Sequence, residues 1–321
     1  MEIIRQHYPG LKASQASVVN AFGVNSQNWK ISTGRDAFIL KRVARAKAKT
    51  LERQADWVRR LTASGFPTTR FYPDRKKALV CLRGPYAWCL TYFEKGSYLG
   101  NSPKRWGRLL SSERRLAAYC VKNSPKDLGR RAGSRDFFTS QEAALMRRLR
   151  RFPKGTGLRR AQTEYVVAKY DLLRSVYLMD QKKLRRAVFH VDIHPLNVLF
   201  RGDRLSLLAD FDSFRMTTLE ISLGFSVFKC ARELLAGSTG AAFKKRLVGL
   251  EKIFRGKMAG YSLADLLIYG QMDVLKRLLY VTGEMLERGN SRWRFMLGTQ
   301  FSGLMEIDAM LGSLALRKTA P

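Results

Sequence analysis

His190-Val191-Asp192-Ile193-His194-Pro195-Leu196-Asn197-Val198-Leu199-Phe200, followed shortly by Leu207-Leu208-Ala209-Asp210-Phe211-Asp212, is the stretch on which the reading of this chain turns. A carboxylate stands five residues before an Asn, and a second carboxylate ends the next apolar run thirteen residues after that Asn. Such a set suits transfer of a phosphoryl group to a hydroxyl. One Asp, free of metal, accepts or orients the hydroxyl proton, while an amide oxygen and another carboxylate hold Mg²⁺ against phosphate oxygens. Asp192 fits the first role, Asn197 and Asp210 the second. A metal-hydrolase site built from His190, His194 and Asp210 is the competing reading. It leaves Asp192 and Asn197 unexplained in a chain with only 3 histidines.

Working outward, residues 188–190, 198–200 and 205–209 are short apolar runs, the last two separated by the turn Arg201-Gly202-Asp203-Arg204. They interrupt a pattern that is otherwise helical from about residue 103 onward, with Trp106, Leu109, Leu110, Leu116, Ala117 and Cys120 in register and long helices expected over 263–288 and 293–314. The first hundred residues read differently. Residues 28–32 and 37–42 flank Thr33-Gly34-Arg35-Asp36, and 78–82 and 87–93 flank Arg83-Gly84-Pro85-Tyr86, two strand pairs around Gly-containing turns. Between them a helical stripe of Leu51, Ala55, Trp57, Val58 and Leu61 runs into the stop Gly65-Phe66-Pro67.

The central stretch resembles the catalytic loop H-G-D-x-H-x-x-N of the aminoglycoside phosphotransferase, choline kinase and homoserine-kinase-like family, which includes spore-coat kinase-like proteins and shares the protein-kinase-like fold. His190, Asp192, His194 and Asn197 match, with Val191 in place of Gly. Asp210-Phe211-Asp212 stands where protein kinases have D-F-G, a departure that favours the small-molecule branch. The resemblance covers roughly residues 15–235. It implies an α+β, bilobal fold: a small antiparallel-sheet N-lobe over residues 1–95 that covers ATP, and a mostly helical C-lobe over 96–321 with the catalytic and metal loops and the acceptor site.

By the same resemblance Lys41, in Phe38-Ile39-Leu40-Lys41, is the lysine that grips the α/β-phosphates. Its acid partner belongs on the following helix, where Glu52 is the candidate and Gln54 and Asp56 leave the registration open. The segment 21–28 takes the place of the phosphate-covering loop, with Ser26 and Asn28 as phosphate-approaching groups. Residues 90–96 resemble the adenine hinge. His190 and His194 are expected to brace the loop, and Asp212 to brace or to approach a second metal.

Fifty-nine Lys and Arg against 26 Asp and Glu give a net charge of +33, and 45% hydrophobic content is enough to bury a core. The block 101–190 alone carries 23 basic and 7 acidic residues. A positive field disfavours a cationic acceptor such as an aminoglycoside and favours an anionic one, for example a phosphorylated sugar, a glycan or a glycolipid headgroup. It also leaves open contact between the basic block and a polyanion or anionic membrane surface. A second function class remains beside the kinase: an inactive kinase-fold protein that binds nucleic acid or another polyanion, a role that would not require Lys41, Asp192, Asn197 and Asp210 at these spacings. Four scattered cysteines without a CxxC pair read as reduced thiols. With no long apolar run, a cytoplasmic protein, at most peripheral to a membrane, is expected.

Overall fold

Residues 37–44 alternate between two faces of a strand, and that alternation organises the first part of the molecule. The structure, a computed structural model, describes residues 2–20, 27–34, 36–125, 128, 137–152, 154–289 and 293–318. In chain order the elements are α1 (Glu2–His7), β1 (Ala13–Asn20), β2 (Gln27–Thr33), β3 (Ala37–Ala44), α2 (Ala48–Ala63), β4 (Phe71–Tyr72), β5 (Cys81–Arg83) and β6 (Tyr86–Tyr92). There follow α3 (Pro103–Asn123), α4 (Ser140–Leu149), α5 (Arg160–Asp180), β7 (Arg186–His190), β8 (Val198–Arg201), β9 (Arg204–Leu208) and β10 (Phe214–Thr218). The last four are α6 (Leu219–Leu235), α7 (Gly240–Lys257), α8 (Leu263–Arg288) and α9 (Arg294–Lys318). The antiparallel sheet near the N-terminus and the helical remainder agree with the expected fold class. By packing, the chain forms two units: residues 1–99, 124–129 and 195–215, and residues 100–123, 130–194 and 216–321.

In the first unit the sheet order is β1-β2-β3-β6-β4, with β5 also on β6, all antiparallel. The β2–β3 turn is closed by Thr33, whose hydroxyl donates to the Asp36 carbonyl and accepts from the Asp36 N–H, both at 3.0 Å. Phe38 and Leu40 join Ile3, Ile4, Tyr8, Ile31 and Leu90 in a buried cluster on one face. Period two therefore sends Ile39 and Lys41 to the other. Helix α2 buries Leu51, Gln54, Ala55, Val58 and Leu61 along one stripe and stops at Gly65, whose φ of 81° favours a residue without a Cβ. The β8–β9 hairpin belongs to this unit, stapled to the segment after β6 by reciprocal Ser97 and Phe200 backbone bonds of 2.9 and 2.8 Å. A Cβ on Gly96 would lie 3.0 Å from the Phe200 carbonyl oxygen, so the staple depends on that glycine.

The second unit is built on α6 and α8. Helix α6 is apolar and buried on nearly every side, as expected of a helix inside a core. Its backbone meets α8 through two facing glycines, Gly224 and Gly270; a Cβ on Gly270 would lie 2.5 Å from the Gly224 carbonyl oxygen. Helix α8 begins where the Ser262 hydroxyl accepts from the Asp265 N–H and ends at Gly289 with φ 59°. On α3, Glu113 is fully buried and accepts a hydrogen bond from the Ser226 hydroxyl of α6. Burial raises its carboxyl to about 8, against the smaller opposing effect of Ser226. In the basic block, Arg147, Arg148 and Arg151 are exposed on and just after α4. Among the described residues, no helix is long and apolar enough to cross a membrane.

Candidate active site

Strand register assembles the first cluster. Lys41 on β3 lies opposite Asn28 on β2 and Cys89 on β6, and Ile39 lies opposite Thr91. Directly opposed residues share a face, so Asn28, Ile39, Lys41 and Thr91 line one cavity of about 220 Å³, closed by Phe93, Glu94, Leu196, Ala209 and Asp210. The hinge-like segment after β6 is therefore a wall of this cavity. Glu94 is held by two arginines, Arg70 and Arg201, each at 2.6 Å.

Lys41 is buried, and its ammonium pairs with Asp210 at 3.2 Å and with Asp212. Burial alone would lower its pKa, but Asp212 and Asp210 outweigh that and hold it above the ordinary lysine value. Asp212 is raised by burial and by its like-charged neighbour Asp210, against the pull of Lys41. Two carboxylates thus share one ammonium. Asp210 adopts a left-handed conformation, φ 57° and ψ 55°, which Asp tolerates better than most residues. The turn is fixed by Ser213, whose N–H donates to the Asp210 carbonyl at 2.9 Å and whose hydroxyl donates to Asp210 Oδ2 at 2.6 Å. Asn197 is tied to the same segment, its carbonyl accepting from the Ala209 N–H at 2.8 Å.

Helix α2 reaches this loop through Gln54. Its Nε2 donates to the Asp212 carbonyl at 2.6 Å and to the Phe214 carbonyl at 2.9 Å. An amide suits the position because two acceptors face it. Glu52, the candidate partner for Lys41, stands exposed instead and lines a separate hollow with Arg53, Asp56, Trp57 and Arg60. The carboxylates that meet Lys41 are Asp210 and Asp212, 169 and 171 residues further along the chain. Ser26 lies outside the described residues.

In the second unit Asp192 is held by Arg277 of α8, a residue no motif marks. The guanidinium donates to Asp192 Oδ1 at 3.0 Å, to the Val191 carbonyl at 2.8 Å and to Asp273 Oδ2 at 2.6 Å, and its Cζ lies 3.9 Å from the Phe225 ring centre. The buried His190 accepts the Asp192 N–H on Nδ1 at 3.2 Å. His194 Nε2 lies 3.7 Å from Asp192 Oδ2. Burial lowers the His194 pKa and keeps its imidazole neutral near pH 7, although Asp192 pulls the other way. The sequence signal for Arg277 is faint: an Asp273–Arg277 pair at i,i+4 beside the apolar positions Met272, Leu275 and Leu278 of α8.

Asn28 tests whether the first cluster fits a nucleotide. Its Oδ1 is buried in the cavity wall without a hydrogen-bond partner. A half-turn of the same amide would present two N–H donors, a fit for phosphate beside the Lys41 ammonium. Asn197 and Asp210 supply the oxygen donors that Mg²⁺ prefers.

Comparisons with known proteins agree with the fold. Among solved structures, a spectinomycin phosphotransferase in complex with ADP and spectinomycin superposes with a TM-score of 0.67 at 14% identity, over 97% of this chain and 96% of that one. A microcompartment-associated aminopropanol kinase gives 0.66 at 15% identity over 94% of each chain. An amicoumacin kinase in complex with AMP-PNP, Ca²⁺ and Ami gives 0.65 at 13% identity, over 92% and 89%. A search of the curated proteins found no match. The phosphotransferase enzyme family model matches residues 18–232, more than half of the chain, and the chain belongs to that family.

Proposed function

We propose that the protein transfers the γ-phosphoryl group of ATP, with Mg²⁺, to a hydroxyl of a small-molecule or sugar-containing acceptor that carries negative charge. The observation that carries the reading is the buried Lys41 ammonium, held by Asp210 and Asp212 in the wall of a cavity that also contains the unpartnered Oδ1 of Asn28. Lys41 and Asn28 would hold phosphate oxygens, and Asn197 and Asp210 would hold Mg²⁺, which when bound neutralises charge on those oxygens. Asp212 keeps Lys41 extended, the task expected of a helix acid. Asp192 orients the acceptor hydroxyl and takes its proton, with Arg277 fixing Oδ1 and with His190 and His194 bracing the loop.

In this division of labour residues 1–95 cover the nucleotide and 96–321 supply the acceptor side, while the segment 195–215 packs with the former. The net charge of +33 favours an anionic acceptor. Four buried free cysteines suit the reducing, ATP-rich cytoplasm. Thermal unfolding with ATP, with and without Mg²⁺, tests the reading. A Mg²⁺-dependent rise in Tm that Asp210→Ala abolishes supports it; no rise at millimolar ATP overturns it.

A further inference from the structure

The turn of α6 beside Asp192 concentrates cations. Phe225, Lys229 and Arg232 follow one another at helical spacing, so their side chains share a face. Phe225 carries two of the charges on its ring: the Arg277 guanidinium at 3.9 Å and the Lys229 ammonium at 5.8 Å. Two of the three cations are committed within the protein. Arg277 spends its nitrogens on Asp192, Val191 and Asp273, and Arg232 pairs with Glu306 at 2.7 Å. Lys229 forms no ion pair with any described carboxylate, although its side chain is half-buried.

Its surroundings make that position costly. Burial, Arg232 and Arg277 all push the ammonium below its ordinary pKa, and Asp192 and Glu306 oppose them only through space. Amino groups held for structure alone are usually given a hydrogen-bonding carboxylate when withdrawn from water. Here no carboxylate among the described residues takes that place.

Resting on the kinase reading above, we propose that Lys229 reads an anionic group of the acceptor, so that the true acceptor carries a carboxylate or phosphate close to the hydroxyl presented to Asp192. The anion completes a site in which Arg277 and Arg232 are already neutralised. Lys229 is then a specificity residue, and neutral or cationic alcohols are poor acceptors.

The test uses the full chain saturated with Mg²⁺ and AMP-PNP, titrated calorimetrically with inorganic phosphate and, separately, acetate, at about 0.15 M salt to screen surface lysines and arginines. The variants are Lys229→Met, which keeps the aliphatic stem over Phe225, and Lys229→Arg, which keeps the charge. A saturable phosphate site weakened about 10- to 100-fold in Lys229→Met, as expected for loss of a charged hydrogen bond, and retained within a few-fold in Lys229→Arg, supports the proposal. Phosphate binding alone assigns a phosphorylated acceptor, whereas acetate competing at the same site admits a carboxylate. Equal binding by wild type and Lys229→Met, or no saturable site in wild type, overturns it. Failure of AMP-PNP to bind would instead sink the kinase reading. Should Lys229→Met not fold, Lys229→Gln gives the same comparison.

Discussion

The two charged clusters are opposites in balance. Around Lys41, one ammonium faces two carboxylates, so the Asp210–Asp212 turn has acidic oxygen in excess. Around Asp192, the guanidiniums of Arg277 and Arg232 are matched by carboxylates and the Lys229 ammonium is left over. A site with surplus oxygen is prepared for a cation, and one with a surplus ammonium for an anion. On the function proposed above, that contrast would give metal and nucleotide chemistry to the first cluster and acceptor recognition to the second.

The contrast breaks most sharply at Asp192. Asp192→Asn keeps the hydrogen-bonding shape toward Arg277 but removes the base, and acceptor phosphorylation is expected to fall roughly 10³-fold with Mg²⁺-nucleotide binding unchanged. Full turnover in that variant would end the mechanism. Next comes a pH effect confined to the second unit. Glu113 titrates at about 8 in the folded protein against an ordinary 4.5, so it stays protonated in the native state while the unfolded chain ionises. Stability should therefore be highest below about pH 4.5 for this group, fall by at most about 1.4 kcal/mol per pH unit up to about 8, and level off above it. Glu113→Gln should flatten that slope in urea denaturation between pH 5 and 7.5; an unchanged slope would show that the carboxyl is ionised.

In the first cluster, Asp210→Asn removes one of two carboxylates and should weaken Mg²⁺-dependent nucleotide affinity about 30-fold while leaving metal-free binding nearly intact. The smallest effect is expected at Gln54. Gln54→Glu sets a carboxylate against the Asp212 and Phe214 carbonyls and should lower stability by about 1–2 kcal/mol. If Gln54→Glu instead left stability untouched and tightened ATP binding, the helix would be supplying the lysine partner after all.

Legibility followed locality. The β2–β3 and β5–β6 hairpins, the α2 stripe and the Asp192, Asn197 and Asp210 spacing are patterns within a few residues of chain, set by turn chemistry and period. Helix α1 escaped because six residues make no amphipathic repeat; Ile3 and Ile4 gain their burial from residues far along the chain, Phe38, Leu40 and Leu90 among them. The partner of Lys41 was not legible in the sequence around α2. A helical stripe shows that α2 is buried, but which of Glu52, Gln54 and Asp56 faces the lysine depends on tertiary register, and Asp212 enters from far along the sequence. Arg277 and Lys229 were invisible for a similar reason. On a helix, an Asp273–Arg277 pair reads as ordinary surface charge until Val191 and Asp192 are found against it.

The facing glycines Gly224 and Gly270 carry a consequence for how this protein can diversify. With α6 and α8 in backbone contact, the two helices have no slack through which to slide or spread. Phe225 and Lys229 on one and Arg277 on the other are thereby held in a fixed frame. A lineage seeking a new acceptor must exchange the side chains set in that frame, one letter at a time, because the frame itself cannot be resized.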